Sequence, residues 1–239
     1  ALPLQTLTHV AVVLRGTTLT FYINAVAETA IELTEAPTLQ LEEENLLLGR
    51  NLGSDYFAGA LQEVRIWIGD RTPEQLDRFR YRGVPANASG LIGYWPLDQI
   101  ENGQAPDRSI GGHSLYLGGL SEDYFPTPGE IAPIRPAQPI ASLEVEGTVL
   151  EFVGENDVIT ITNPNNDGLG RFERLTLEFW FRPAETNLRS DRHQILLSQG
   201  DGEAGITVYL LGQRLYVLAW CADYDDVSTP ERIQRTVLV

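Results

Sequence analysis

Short runs of alternating apolar and polar residues recur along most of the chain, and each run is bounded by Gly, Asn, Asp or Pro. This two-residue period is typical of strands in an antiparallel sheet that buries one face. The clearest runs are Thr8–Leu14, Thr18–Asn24, Leu41–Leu48, Gly59–Ile68, Leu175–Phe181, Ile206–Leu211 and Leu215–Trp220. The pattern predicts an all-β protein built as an antiparallel β-sandwich.

One segment departs from the strand period. Thr72 can cap a helix, Pro73 suits the first helical position, and Leu76 lies three residues before Phe79, on the same helical face. The sequence therefore predicts one short helix of about two turns after the long strand that ends near Ile68.

Residues 119–142 differ in composition from the rest of the chain. Five prolines fall in this stretch, namely Pro126, Pro128, Pro133, Pro136 and Pro139. Proline at this density excludes central strands and helices and favours an extended course. We predict a linker here, which at ~3.1 Å per residue reaches on the order of 70 Å.

The charge balance limits the partners. All 17 basic residues are Arg, against 33 Asp and Glu, and the formal net charge is −16. Such a charge repels nucleic-acid phosphates and anionic lipid headgroups, so we expect no nucleic-acid partner. No run approaches the roughly 20 apolar residues of a membrane helix, so we expect no membrane insertion. The acidity is compatible with an extracellular or cell-surface location, and the single Cys221 cannot form an internal disulfide.

Two groups of motifs carry a family resemblance. The first group, in chain order, is Thr8–Val13, Leu19–Asn24, Leu47–Gly49, Phe57–Trp67, Gly90–Asp98 and Ala105–Leu117; the second is Leu150–Phe152, Asp157–Ile161, Leu175–Pro183, Gln194–Gly200 and Gly212–Val217. The first group resembles the later half of a laminin G-like domain, a jelly roll of the concanavalin A-like superfamily. The second resembles the beginning of the same domain. The resemblance implies a circularly permuted order, with residues 1–118 as the C-terminal half and residues 143–239 as the N-terminal half.

The two chain ends would read on from one to the other, since Thr236–Val239 followed by Ala1–Val10 continues the family pattern. Two arrangements follow: the halves close on each other within one chain, or each half is completed by a neighbouring unit of a tandem array or filament. We expect the second arrangement, in which the chain is one repeat period and its main partner is itself. The residues expected to take part in assembly are Ala1, Leu4, Thr8, Val10, Thr236, Val237, Leu238 and Val239.

Catalytic patterns are missing from the sequence. Glycoside hydrolases on this type of sandwich need two carboxylates that face one groove, at alternate positions of a strand. Glu42, Glu43 and Glu44 are consecutive, so they point to opposite faces. His9 lies in an apolar strand, where we expect a structural role. With no nucleophile elbow or phosphate loop either, the sequence predicts that the protein is not an enzyme.

The resemblance also implies a structural calcium ion. The matching positions are Asp107, Asp157 and Gln62. The family commonly has Asp at the position of Gln62, and the lost charge weakens a site that binds through carboxylates. The alternative for Asp107 is a structural turn that leads into Gly111 and Gly112.

A second acidic cluster, Asp223, Tyr224, Asp225 and Asp226, could bind a sugar or a cation. The four tryptophans Trp67, Trp95, Trp180 and Trp220 could suggest platforms for carbohydrate stacking, but three of them lie in strand patterns at core-facing positions, so we expect most of them in the core. Two functions follow. The first is a structural or adhesive extracellular module that is repeated along a fibre or surface adhesin. The second is a lectin-like module, closed within one chain, that binds glycans through loops such as residues 222–228 and 163–170.

Overall fold

The computed structural model describes residues 6–33, 39–40, 46–50, 55–118, 126–130, 148–154, 157–161, 171–172, 174–184, 191–200, 204–221 and 235–238. These residues form eighteen strands and one helix, numbered in chain order below. Nearly all strands belong to two antiparallel sheets, which confirms the predicted all-β sandwich.

The sheets are named sheet I and sheet II. Sheet I contains, in spatial order, β10 (Thr127–Glu130), β11 (Thr148–Val153), β6 (Ala58–Ile68), β14 (Arg174–Pro183), β1 (Thr8–Arg15), β2 (Thr18–Ile23) and β3 (Val26–Glu32), with β7 (Leu91–Trp95) beside the second half of β6. Sheet II contains β18 (Arg235–Leu238), β17 (Arg214–Cys221), β16 (Ala204–Leu211), β15 (Gln194–Gly200), β5 (Leu46–Leu48), β12 (Ile159–Ile161), β9 (Leu115–Leu117) and β8 (Gln104–Ala105). β4 (Leu39–Gln40) and β13 (Arg171–Phe172) form a separate two-stranded piece.

The main core lies between the two sheets and follows the alternation in the sequence. Val10 and Phe179 of sheet I are buried in one cluster with Val208 and Val217 of sheet II. Residues at the intervening positions of sheet I point away from this core, yet many of them are buried as well. Sheet I is therefore covered on both faces.

The cover on the outer face of sheet I consists of residues 72–90, here called the cover segment. It begins with α1 (Pro73–Phe79), whose N-cap Thr72 exchanges hydrogen bonds with Gln75 in a capping box. Leu76 packs on Ala11, Val13 and Tyr22 of the sheet. Burial of this apolar contact holds the short helix, which is too short to be stable alone.

The two halves of the chain interleave. β14 is hydrogen-bonded on one side to β1 and on the other to β6, and β5 lies between β15 and β12. The halves thus complete each other within this chain, because each half supplies strands that fit between strands of the other. Completion by a neighbouring unit stays a prediction. The circular permutation itself stays a prediction.

The expected assembly residues divide into three groups. Thr8 and Val10 are buried in β1, where they pair with Phe181 and Phe179 of β14, so they do not lie at a free edge. Residues 236–238 belong to β18, which ends sheet II among the described strands. Ala1, Leu4 and Val239 lie outside the described residues.

Several strands lie outside the predicted runs, among them β3, β4, β10 and β13. β3 follows β2 through a tight turn in which Asn24 and Ala25 have φ angles of 51° and 66°, as a type I′ hairpin requires. β10 lies inside the predicted linker and pairs with β11 at the end of sheet I. A strand edge tolerates the missing N–H of Pro128, which reconciles the proline-rich composition with a strand.

Candidate functional site

Ionisable side chains from three neighbouring strands meet on the outer face of sheet I, beneath the cover segment. Glu178 of β14 lies between His9 of β1 and Arg65 of β6, with its Oε2 3.2 Å from His9 Nε2 and its Oε1 3.4 Å from Arg65 Nη1. Trp67 Nε1 donates to the same Oε1 at 2.8 Å. Each of these side chains is almost fully buried, and we call this group, together with Glu63 and Tyr94, the buried charge cluster.

Glu63 closes the other side of Arg65. Arg65 Nη2 donates to Glu63 Oε2, and the Tyr94 hydroxyl donates to the same carboxylate at 3.0 Å. Glu63 itself adopts a φ of 56°, next to the position where the pairing of β6 with β14 is irregular. Such a left-handed conformation is uncommon for Glu, and here it brings the carboxylate to the guanidinium.

Arg65 joins the cluster to the cover segment. Its Nη1 donates to the Phe79 carbonyl at 3.0 Å, and its Nη2 donates to the Arg82 carbonyl at 2.8 Å. Trp180 Nε1 adds a hydrogen bond to the Arg80 carbonyl at 2.9 Å. A cation at a helix C-terminus satisfies carbonyls that have no partner within the helix. Arg65 therefore anchors the C-terminal end of α1 to sheet I.

The protonation states of the cluster follow from its burial. Burial lowers the pKa of His9 below its ordinary value and outweighs the opposite influence of Glu178. Burial alone would raise the pKa of Glu178, but the hydrogen bond from His9 and the positive charge of Arg65 hold it at about 2. Burial raises the pKa of Glu63, although Arg65 acts in the opposite direction. At neutral pH the cluster contains a neutral His9 and an ionised Glu178 bound to Arg65.

The carboxylates of the buried charge cluster are not exposed to solvent in this structure. A glycosidase needs two carboxylates about 5–10 Å apart that flank the scissile bond of a bound substrate. Glu178 and Glu63 are 1% and 5% exposed, so they do not flank a substrate-accessible groove in this structure. The cluster is a structural unit that holds the cover segment on sheet I.

Asp107 organises the loop that follows β8. Its Oδ1 accepts hydrogen bonds from Tyr94 N at 2.9 Å and Ser109 N at 2.7 Å, and its Oδ2 accepts from Ser109 Oγ and from His113 N at 2.8 Å. Both oxygens are thus occupied by donors of the chain itself. This geometry fits the alternative of a structural turn.

The other two expected calcium ligands are placed differently. Asp157 Oδ2 accepts a hydrogen bond from Val153 N at 2.5 Å, and burial raises its pKa. Gln62 lies in β6, in register with Trp180. Within the described part of the chain, no group of three or more His, Cys, Asp or Glu side chains could hold a metal ion. We therefore derive no function through calcium, and its binding at Asp107, Asp157 and Gln62 stays a prediction.

A row of aromatic rings lies on the outer face of sheet II. Tyr209 of β16 pairs with Tyr216 of β17, and their rings stack at 5.1 Å with an interplanar angle of 7°. The ring of His193, just before β15, meets Tyr209 edge-on at 5.0 Å. These residues alternate with buried Val208, Leu210, Leu215 and Val217, so they face away from the core. We call His193, Tyr209 and Tyr216 the aromatic row.

Polar groups surround the aromatic row. Asp55 Oδ2 lies 4.0 Å from His193 Nδ1, and the side chain of His193 is 52% exposed. Arg214 is exposed and lies two residues before Tyr216, hence on the same face of β17. Partly buried aromatic rings with a few polar neighbours are one kind of surface that contacts ligands.

The predicted sugar-binding residues Asp223, Tyr224, Asp225 and Asp226 lie outside the described residues, as do the loops of residues 222–228 and 163–170. Trp67, Trp95 and Trp180 are buried, as predicted. Only Trp95 of these three lies in the core between the sheets, whereas Trp67 and Trp180 lie beneath the cover segment.

The fold and these two faces define a sandwich of the jelly-roll type with a covered outer face and an aromatic outer face. Residues 1–77 match a family model of laminin G type, described as the concanavalin A-like lectin/glucanases superfamily, and this match supports the domain family. No curated protein and no solved structure matches the chain. No helix in the described ranges is long and apolar enough to span a membrane.

Sequence reasoning missed the buried charge cluster. His9 and Glu178 are 169 residues apart in the chain, so their pairing is invisible in any local pattern. One signal was present: His9, Arg65 and Glu178 each interrupt a strongly apolar strand. A charged residue in the middle of such a strand requires a buried partner, which could have been sought among the other strands.

Proposed function

We propose that the protein is a non-catalytic extracellular adhesive module that binds neutral glycans at the aromatic row. The observation that carries this proposal is the stacked pair Tyr209 and Tyr216 on the outer face of sheet II, with the exposed His193 beside it. The family match of residues 1–77 supports a binding module, because domains of this type are typically non-catalytic and usually extracellular.

The chemistry of the aromatic row favours a sugar ring. A pyranose presents an apolar face of C–H groups that packs on an aromatic ring, while its hydroxyls need hydrogen-bond partners at the rim. Asp55, His193 and Arg214 supply such partners around the two tyrosines. The formal charge of −16 repels acidic sugars, so neutral glycans fit best.

A glycan array with the intact protein, followed by calorimetry on the glycans that bind, tests this function. Tyr216→Ala should weaken binding by about tenfold, because an aromatic contact contributes about 1–1.5 kcal/mol. Tyr116→Ala is the matched control, since Tyr116 is an exposed tyrosine on the same sheet face at β9, outside the aromatic row. No bound glycan, or equal losses for both variants, would refute the aromatic row as the site.

A second candidate is that the chain is one period of a tandem or filamentous protein, in which halves are completed by neighbouring units. In such an array, a neighbouring unit would supply in the same register the pairings that β14 makes here with β1 and β6 and that β12 makes with β5 and β9. Electron microscopy of the native material tests it: regular filaments with one repeat per domain are expected. Isolated single domains at all concentrations would oppose it.

A further inference from the structure

We propose that protonation of His9 opens the cover segment, so that residues 72–90 leave the outer face of sheet I while both sheets stay intact. The cover segment is then a pH-sensitive lid over the buried charge cluster. This opening is local, and it depends neither on glycan binding nor on a tandem array.

The cover segment is fastened to sheet I by few contacts. Arg65 and Trp180 donate hydrogen bonds to three of its carbonyls, those of Phe79, Arg80 and Arg82. Leu76 and Val84 add apolar packing. Residues 72–90 are all described and none of them belongs to a strand, whereas β1, β14 and β6 beneath them are joined by extended ladders. A part of the fold with few contacts opens at a lower free energy than the sheet below it.

His9 lies where a positive charge opposes the closed arrangement. Its side chain is almost fully buried, and its Nε2 lies 3.2 Å from Glu178 Oε2, while Arg65 uses the other oxygen of the same carboxylate. His9 Nδ1 is buried and has no hydrogen-bond partner among the described residues. A protonated imidazole is a donor at both nitrogens, so its Nδ1–H is buried without an acceptor while the segment is closed. Opening the segment lets water accept this hydrogen bond.

The charged and titratable groups around His9 come from every element packed there. They are Glu178 of β14, Glu63 and Arg65 of β6, Tyr94 of β7, Arg71 just before α1, and Arg80 of the cover segment. Burial lowers the pKa of His9, Glu178 acts in the opposite direction, and the positive charges of Arg65 and Arg80 lower it further. The closed form therefore disfavours a proton on His9.

The direction of the pH effect follows from this difference between the two forms. Water reaches His9 in the open form, so its pKa returns towards about 6.5. Below that pH the open form binds more protons at His9 than the closed form, and the opening equilibrium rises by up to about tenfold per pH unit. Glu178 adds to the effect only below its ordinary pKa of about 4.3, because in the closed form its pKa is about 2. Glu63 acts in the opposite sense, since burial raises its pKa in the closed form.

Hydrogen exchange of the full-length chain, measured by mass spectrometry at pH 7 and pH 5 and corrected for intrinsic rates, tests the opening. His9→Gln is the matched variant, because its amide can still donate to Glu178 but does not titrate. Between the two pH values, exchange in peptides from residues 72–90 should rise about tenfold or more in the wild type relative to His9→Gln. This ratio cancels the contribution of Glu63, which both proteins share. Peptides from β14 should show no such rise.

His193→Gln is a second control, because His193 is 52% exposed and lies on sheet II, and this variant should keep the wild-type response. The same pH response in His9→Gln as in the wild type, or an equal rise in the peptides from β14, would overturn the proposal.

A measurement on Leu76→Ala does not depend on whether His9→Gln folds. This variant loses the apolar contact of α1, so its cover segment should open more often. The pKa of His9, read from its ring signals by NMR, should then lie closer to 6.5 than in the wild type. An unchanged pKa of His9 would contradict the coupling between its proton and the cover segment.

Discussion

The outer faces of the two sheets differ in the burial of the side chains that point away from the common core. On sheet I this face carries His9, Arg65 and Glu178, which are buried beneath the cover segment and bonded to one another. On sheet II it carries Tyr209 and Tyr216, which are partly buried. The charged side chains are almost fully buried, whereas the two tyrosine rings retain some exposure.

This contrast indicates that the outer face of sheet I serves stability, whereas the aromatic row on sheet II serves ligand recognition. A charge that is buried and paired holds its surroundings in one arrangement, and removing one partner is costly. A half-exposed aromatic ring contributes little to folding and remains available to a ligand. We therefore expect substitutions on the two faces to affect different measurements.

The largest effect should come from Glu178→Gln. The change leaves Arg65 without its directly opposed carboxylate, and we expect the free energy of unfolding to fall by about 3–5 kcal/mol in urea titrations. Glu151→Gln is the control, because Glu151 pairs with Arg182 at 3.3 Å in a partly exposed position and should cost at most about 1 kcal/mol. An equal fall in the free energy of unfolding for the two variants would contradict a larger contribution of the buried charge cluster to stability.

Low pH should lower the stability that the buried charge cluster contributes. The folded protein holds the pKa of His9 below 6.5 and that of Glu178 at about 2, so both groups bind fewer protons in the folded state than in the unfolded state. Stability should therefore be fully present above pH 6.5 and decline as the pH falls towards 2, with Glu178 contributing on the order of 3 kcal/mol. The raised pKa of Glu63 acts in the opposite sense, since its contribution is present at low pH and lost as the pH rises.

Urea titrations at a series of pH values measure this decline. In His9→Gln the free energy of unfolding should depend less on pH from about pH 6.5 downwards, because the variant lacks the group that titrates there in the unfolded state. A wild-type stability that does not change between pH 7 and pH 3 would contradict the assigned protonation states.

A smaller effect is expected from Thr72→Ala at the start of the cover segment. The Thr72 side chain accepts a hydrogen bond from Gln75 N at 3.3 Å, and its loss should cost about 1 kcal/mol. Thr72→Ser keeps the acceptor oxygen and should remain close to wild type in thermal unfolding. Similar losses in both variants would show that packing of α1, rather than its cap, decides the effect.

On the outer face of sheet II, Tyr216→Ala should lower the free energy of unfolding by less than about 1 kcal/mol, since the ring is only partly buried and stacks on one neighbour. The same variant should lose most of its glycan affinity. A loss of several kcal/mol in urea titrations would place Tyr216 with the structural residues and remove the contrast between the faces.

The smallest effect should be that of chelation. Both carboxylate oxygens of Asp107 accept hydrogen bonds from the chain, so EDTA should leave the melting temperature unchanged. Added calcium is the matching control. A fall of several degrees with EDTA, reversed by calcium, would instead support the metal site implied by the family resemblance.

The sequence was informative where structure is local. Alternation located β1, β2, β6, β14, β16 and β17, and Thr72 with Pro73 located α1. β3 was missed because its residues are almost all exposed at a sheet edge, where burial imposes no apolar alternation. The buried charge cluster and the aromatic row were missed because their members come from different strands. Only the register of those strands brings Tyr209 to Tyr216 and Glu178 to Arg65.

The position of β14 also has a consequence for synthesis on the ribosome. β6 ends at Ile68 and β14 begins at Arg174, so more than one hundred residues must be translated between them. At about 5–20 residues per second, β14 is synthesised roughly 5–20 s after β6, and only then can it pair with β1 and β6. During that interval Arg65 has neither Glu178 nor a finished sheet around it. The fold can therefore close only after most of the chain has been made.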